Sequence, residues 1–143
     1  MKILKLALVL ALTLVALDAR AKSDLICLAE NIYHEARNQP VEGQVAVAKV
    51  TLNRVNHKHF PDSVCEVVYA PKQFSWTSHK NKPVTEAKAW LMSLVVAQLV
   101  ILTHSAKPEF TATHFHTRQV NPYWNRRKEK VATIGNHVFY ASK

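Results

Sequence analysis

Acid–base chemistry has few places to reside in this chain, because carboxyl groups are scarce against 19 lysines and arginines. Past residue 21 the acids are Asp24, Glu30, Glu35, Glu42, Asp62, Glu66, Glu86, Glu109 and Glu129. Most have an ordinary use. Ser63 and Glu66 read as a capping box, and Asp62 and Glu86 stand at helix entries, where negative charge complements the helix dipole. Glu109 and Glu129 fall in polar stretches, and Glu30 lies towards the flank of the first predicted helix. Glu35 is different. It closes that helix within Asn31-Ile-Tyr-His-Glu-Ala-Arg37, beside Tyr33 and His34 and just before a chain break. Facing a cleft, such a carboxyl loses water and its pKa rises towards that of a working general acid; the helix C-terminus pushes the same way. A solvated glutamate paired with Arg37 or Lys49 would occupy the same place, and the local residues leave both readings open.

His114 and His116 alternate within Phe110-Thr-Ala-Thr-His-Phe-His116, which puts them on one face of a strand and Phe115 on the other. Alternating histidines are a zinc-ligand spacing, as an amidase would use, but zinc needs a third protein ligand. No second H-x-H, no H-E-x-x-H and no C-x-x-C accompanies them. Structural or substrate-contacting histidines are the simpler expectation, and no metal or cofactor is predicted. The island Gln73-Phe-Ser-Trp-Thr77 reads equally as core packing or as a wall that stacks on sugar faces and hydrogen-bonds their hydroxyls. A serine nucleophile lacks its G-x-S-x-G elbow, and with only Gly43 and Gly135 there is no glycine-rich phosphate loop. No groove-reading motif accompanies the basic residues, so nucleic acid is not an expected partner.

The elements that must position these groups are mostly helical. Ser23 can cap a helix running to about Arg37, with Leu25, Ile26, Leu28, Ala29, Ile32 and Tyr33 as its apolar stripe. Pro40 suits the first turn of a second helix, where Val41, Val45, Ala48, Leu52 and Val55 recur at steps of four and three. Asn53-Arg54 is expected at its exposed end. A short helix from Ser63 to about Tyr69 follows, then irregular chain over 70–82, then a long helix over about 84–104. Ala87, Trp90, Leu91, Leu94, Val95, Gln98, Leu99 and Leu102 are the buried face predicted for it. Beyond Pro108 the period drops to two; Asn121-Pro122 turns the chain, basic Arg126-Arg-Lys128 follows, and His137-Val-Phe-Tyr140 can close a sheet. The fold class is α+β, a mostly helical domain with a small antiparallel β-sheet.

The N-terminus reads as an export signal. Lys2 and Lys5 precede an apolar run from Leu6 to Leu17 that only Thr13 interrupts, and Ala19-Arg20-Ala21 gives an A-x-A cleavage pattern. We expect a signal peptide over 1–21, one domain over 22–143, and delivery to the periplasm or cell envelope. The apolar run is shorter than the ~20 residues of a spanning helix, so no stable membrane anchor is expected after cleavage. The chain carries a formal +9; three cations and one acid leave with the signal, so the remainder keeps +7. That surplus draws the domain to polyanions, and export favours one in the envelope. In an oxidising compartment Cys27 and Cys65 can form one disulfide.

Several ordered blocks carry the reading further. They are Cys27-Leu-Ala-Glu-Asn-Ile-Tyr-His-Glu-Ala-Arg37, Val41-Glu-Gly-Gln-Val-Ala-Val-Ala48, Leu52-Asn-Arg-Val55 and Gln73-Phe-Ser-Trp-Thr77, then Ala112-Thr-His-Phe-His116, Pro122-x-Trp124 and Ile134-Gly-Asn-His-Val-Phe-Tyr140. Together, from about Ser23 to Tyr140, they closely resemble the cell wall hydrolase family of spore-cortex-lytic enzymes. The resemblance implies a lysozyme-like catalytic domain acting on the glycan strands of peptidoglycan, with members described as lytic transglycosylases and an older amidase label. It places the catalytic glutamate at Glu35 and substrate contacts at Tyr33, Gln73, Phe74, Ser75, Trp76, His114 and His116. Cys27 and Cys65 look like the cysteine pair of envelope members, and a monomer is expected. Two departures stand out. Asn38 and Gln39 replace the glycine and glutamate that usually follow the arginine, and Phe115 replaces a tyrosine. Gln39 cannot ionise, and a hydrolase would need a second carboxylate ~5–5.5 Å or ~6.5–9.5 Å from the first. Transglycosylation by one carboxyl is therefore the leading expectation, ahead of hydrolysis, of a zinc amidase using His114 and His116, and of a non-catalytic basic wall-binding module.

Overall fold

The computed structural model describes residues 24–78 and 82–142. The expected signal peptide over 1–21 and the Ser23 cap lie outside the described residues. Helix α1 covers 24–36, α2 Val41–Val55, α3 Val64–Tyr69 and α4 Ala87–Thr103, with 3-10 turns at Ser75–Ser78 and Tyr123–Arg127. Strands β1 (Ala112–Thr117), β2 (Glu129–Ile134) and β3 (His137–Ala141) form one antiparallel sheet in the order β1-β3-β2.

Helix α2 is the axis of the fold because both of its sides are buried. On one, Ala48 and Leu52 pack with Leu28 and Ile32 of α1 and with Val96 and Val100 of α4. On the other, Ala46, Val47 and Val50 pack with Ala112 and Phe139 of the sheet. The single apolar face expected of α2 is thus half of what is buried, and Val41, at its edge, is exposed. Asn53 and Arg54, expected at an exposed end, are 7% and 5% exposed. The entry to β1 lies across them. Asn53 Nδ2 donates to the Phe110 and Ala112 carbonyls at 2.8 Å each, and Arg54 Nε donates to the Thr113 carbonyl at 2.7 Å. Strand-entry carbonyls that a sheet edge would leave open are satisfied by the last turn of a helix.

Helix α4 overturns the predicted face. Ser93, Val96, Ala97 and Val100 point inward, whereas Leu91, Val95, Leu99 and Leu102 are 52–74% exposed and Gln98 is exposed with them. Of the residues predicted to be inside, Trp90 and Leu94 are partly packed. The helix is apolar almost all round, so no polar row marks its outer side. Small Ser93 and Ala97 let it approach α1 and α2 closely, and Ser93 Oγ satisfies itself on the Ala89 carbonyl at 3.0 Å.

Strand β2 was not expected. Its charged start hides an otherwise ordinary hairpin, in which Gly135-Asn136 joins Ile134 to its partner His137 and Gly135 takes φ +56°. Gly-Asn between two alternating runs was the available signal. The turn is also pressed against the α1–α2 loop. Gln39 Oε1 accepts the Asn136 N–H at 2.8 Å, and a Cβ at Gly135 would meet that same oxygen at 2.5 Å. The neutral residue at position 39 is a clasp between loop and hairpin.

The disulfide joins Cys27 to Cys65 and so ties α1 to α3. The capping box forms as read, with Glu66 N–H donating to Ser63 Oγ at 3.3 Å and the Ser63 hydroxyl donating to the Glu66 carboxylate at 2.8 Å. Because the linked cysteines are 38 residues apart, replacing both with serine should cost about 4 kcal/mol by loop-closure entropy. Denaturant unfolding without reductant measures this, and a loss below ~1 kcal/mol would contradict the staple's role.

Candidate active site

Glu35 occupies the last turn of α1, half-buried, while its neighbours in the sequence are spent on fastening that turn. Tyr33 is 1% exposed, and its hydroxyl accepts the backbone N–H groups of Thr85 at 3.1 Å and Glu86 at 3.2 Å. Arg37 pairs with Glu86 at 2.8 Å and lies over the Tyr33 ring at 4.9 Å. The end of α1 is thereby bolted to the start of α4. Arg37 is committed to Glu86, and neither it nor Lys49 is among the groups that act on Glu35. The solvated-pair reading of Glu35 loses both of its cations.

Below the carboxyl, Trp76 is held by its indole N–H on Asn31 Oδ1 at 3.0 Å, and Asn31 Nδ2 donates to Thr51 Oγ1 at 3.2 Å. His34 stacks on Trp76 at 4.4 Å, and among the described residues its buried Nδ1 has no hydrogen-bond partner.

Burial raises the Glu35 pKa above the ordinary carboxylate value; Arg54 and Lys82 pull it down without cancelling that rise. No carboxylate is among the groups that act on it. Arg54 is the more constrained of the two cations. Its guanidinium lies between the rings of Phe60 at 5.2 Å and Phe74 at 5.1 Å, and Nη1 reaches Gln73 Oε1 at 3.4 Å. Burial lowers the Arg54 pKa to about 10 although Glu35 raises it, so it stays charged at neutral pH. The arrangement sets a carboxyl of raised pKa opposite a fixed cation.

The Gln73–Thr77 island divides by parity. Phe74 and Trp76 enter the core at 4% and 7% exposure, while Gln73 and Ser75 face outward beside Arg54's end of the site. The core reading holds for the two rings, which are buried and form no sugar-stacking wall, while Gln73 and Ser75 keep polar groups at the surface. His114 and His116 share one sheet face, with Trp124 at 5.4 Å and 5.7 Å from their rings. His116 Nδ1 lies 2.7 Å from the Thr117 carbonyl and must carry the proton, leaving Nε2 to accept from the Tyr140 hydroxyl at 3.1 Å. His114 sits 2.9 Å from Thr113 Oγ1, and burial, helped by Lys128, Arg54 and His57, lowers its pKa to about 4. Both rings are built into polar contacts of the strand. Among the described residues no three His, Cys, Asp or Glu side chains gather as a metal site would require.

Sequence reasoning missed Arg54, Phe60, Trp124 and Tyr140. Phe60 touches the Arg54 guanidinium on one side and His114 at 6.0 Å on the other. Ring contacts thus run unbroken from the cation facing Glu35 to Trp124 on the sheet. An open cavity of about 880 Å³, walled in part by Phe60, Pro61 and Tyr69, adjoins the same ring. The Asn53-Arg54 dipeptide inside a quoted block was the signal for Arg54, masked by the ordinary expectation that an arginine ending a helix is solvated.

A family profile described as Cell Wall Hydrolase matches residues 38–140. The chain belongs to the cell wall hydrolase family. It is 32% identical over 122 residues to a spore cortex-lytic enzyme of Oceanobacillus iheyensis, covering 83% of this chain and 42% of that protein. A spore cortex-lytic enzyme of Bacillus subtilis is 30% identical over 122 residues, covering 83% and 38%. The chain therefore spans about two-fifths of the length of these relatives. Among solved structures, the catalytic domain of the Bacillus cereus SleB protein superimposes with TM-score 0.64 at 26% identity, over 83% of this chain and 90% of that one. The catalytic domain of the germination-specific lytic transglycosylase SleB from Bacillus anthracis gives 0.65 at 26% identity, over 82% and 93%. This cell wall hydrolase domain shares their mostly helical fold with its small antiparallel sheet. The matched profile begins just after Glu35.

Because the folded pKa of Glu35 is raised, its contribution to stability is complete below the unfolded value and is lost as pH rises through the folded one. At neutral pH the ionised carboxylate is a cost. Glu35→Gln should raise the melting temperature at pH 7, with the gain shrinking below about pH 4. Thermal scans across that range check the sign; a lower melting temperature at pH 7 would contradict it.

Proposed function

We propose that this domain cleaves the β-1,4 bond between N-acetylmuramic acid and N-acetylglucosamine in peptidoglycan as a lytic transglycosylase of the cell envelope. The observation that carries this reading is the environment of Glu35: a carboxyl raised by burial, faced by two cations and by no second carboxylate. A glycosidase that activates water would need that second group. One carboxyl suffices when the nucleophile belongs to the substrate. The relatives' names, spore cortex-lytic enzyme and lytic transglycosylase, agree with this chemistry.

Glu35 gives its proton to the glycosidic oxygen as the bond to muramyl C1 breaks, and the N-acetylglucosamine leaves with a free 4-hydroxyl. The carboxylate so formed is steadied by Arg54 and Lys82. It then takes the proton of the muramyl 6-hydroxyl while that oxygen bonds to C1, closing a 1,6-anhydro ring and restoring the acid. No water is consumed, and the same group serves as acid and then base. Gln73 and Ser75 face outward where they can meet sugar hydroxyls, and His114 and Trp124 extend the site along the sheet. Tyr33, Phe74 and Trp76, being buried, support this surface from beneath.

Mass spectrometry of digested sacculi tests the reaction. Anhydromuramyl ends are expected, and Glu35→Gln should keep wall binding while losing turnover by roughly 10²–10⁴-fold. Reducing ends would mean hydrolysis, and freed stem peptides from intact glycan would mean an amidase. Either result overturns the proposal.

A further inference from the structure

The outward face of α4 has no place in the chemistry above. Leu91, Val95, Leu99 and Leu102 follow one another at steps of four, four and three, and they are 62%, 56%, 52% and 74% exposed. Met92, 40% exposed, widens the stripe, and the buried residues Ser93, Val96, Ala97 and Val100 line the opposite side. Isolated exposed leucines need no explanation; a continuous stripe of them does. Lys88 lies in line with the stripe, one helical step before Leu91, and Lys107 lies just beyond the helix; both are exposed.

We propose that this face of α4 lies on an anionic lipid surface, reversibly and parallel to it. The stripe is aliphatic throughout and projects from a convex helix. Protein partners favour Trp, Tyr and Arg anchors set in complementary pockets, and this face offers none of the three. A bilayer interface asks only for apolar area with cations at its margins, since acyl chains take the former and anionic headgroups the latter. Lys88 and Lys107 supply that margin, and the +7 charge of residues 22–143 supplies the longer-range attraction. The helix lies on the surface because its other face is committed to the core, and no described helix is long and apolar enough to cross a membrane. The inference does not depend on which bond of the wall is cut. Its consequence is an enzyme held at the membrane-facing side of its substrate.

Vesicle sedimentation tests it, using protein purified in the form the cell exports, with the N-terminus of each sample read by mass. Vesicles of phosphatidylglycerol mixed with phosphatidylcholine should sediment the protein, and phosphatidylcholine alone should do so weakly. Leu99→Gln with Leu102→Gln should reduce that partition at least about tenfold at unchanged melting temperature. Lys88→Glu, which removes no apolar contact, should weaken binding to the anionic vesicles only. Equal binding by the leucine variant would assign the interaction to another part of the chain and overturn the proposal. So would a stripe that instead mediates self-association, seen as a concentration-dependent dimer that the leucine variant abolishes without any vesicle binding.

Discussion

A guanidinium that is 5% exposed is the constraint around which this domain is arranged. Removing a permanent cation from water costs several kcal/mol unless partners are fixed around it. Arg54 obtains them from three separate parts of the chain: a carbonyl of β1, the Gln73 side chain, and two aromatic faces from the segments on either side of α3. Each partner must be in place at once, so the charge ties the end of α2 to the strand, to the Gln73 segment and to the Phe60 turn. The same charge faces Glu35, which makes the structural clamp part of the site's electrostatics.

Two opposed influences then set the behaviour of the acid. Burial denies it water and favours the neutral form, while Arg54 and Lys82 favour the anion. Burial prevails in the free protein. The proton is therefore held more tightly than on an ordinary glutamate, and the anion made by giving it away meets cations already positioned for it. A general acid that must next act as a base needs both properties, and a single strongly stabilised anion or a wholly apolar pocket would supply only one. The residues flanking Glu35 make this possible by being used up elsewhere, Tyr33 on backbone amides and Arg37 on Glu86.

Much of this was legible before any coordinates, and the exceptions share a cause. Helix limits, the Ser63–Glu66 box, the cysteine pair and the parity of His114, Phe115 and His116 are local signals carried by a few adjacent residues, and each came through. What failed required knowing what lies on the far side of an element. The face of α4 was misjudged because its apolar residues surround the axis, and only the contact with α1 and α2 selects the small side. Arg54 was placed in solvent because the groups that hold it are distant in sequence. Gln39 was noticed for the charge it lacks, whereas its use is a hydrogen bond to a hairpin that was itself half missed. Glu35 was one of two open readings on local physics, and the solvated pair loses ground because Arg37 is engaged with Glu86 and Lys49 is not among the groups that act on the carboxyl.

The central claim is that burial lifts the Glu35 carboxyl above the ordinary carboxylate range. Carbon-13 labelling of the glutamate carboxyls, with the Glu35 resonance identified by its loss in Glu35→Gln, would follow that group directly through a pH titration. The account predicts a midpoint clearly above the ordinary glutamate value of about 4.3. A Glu35 midpoint at or below that ordinary value would contradict it, because burial would then not favour the protonated acid.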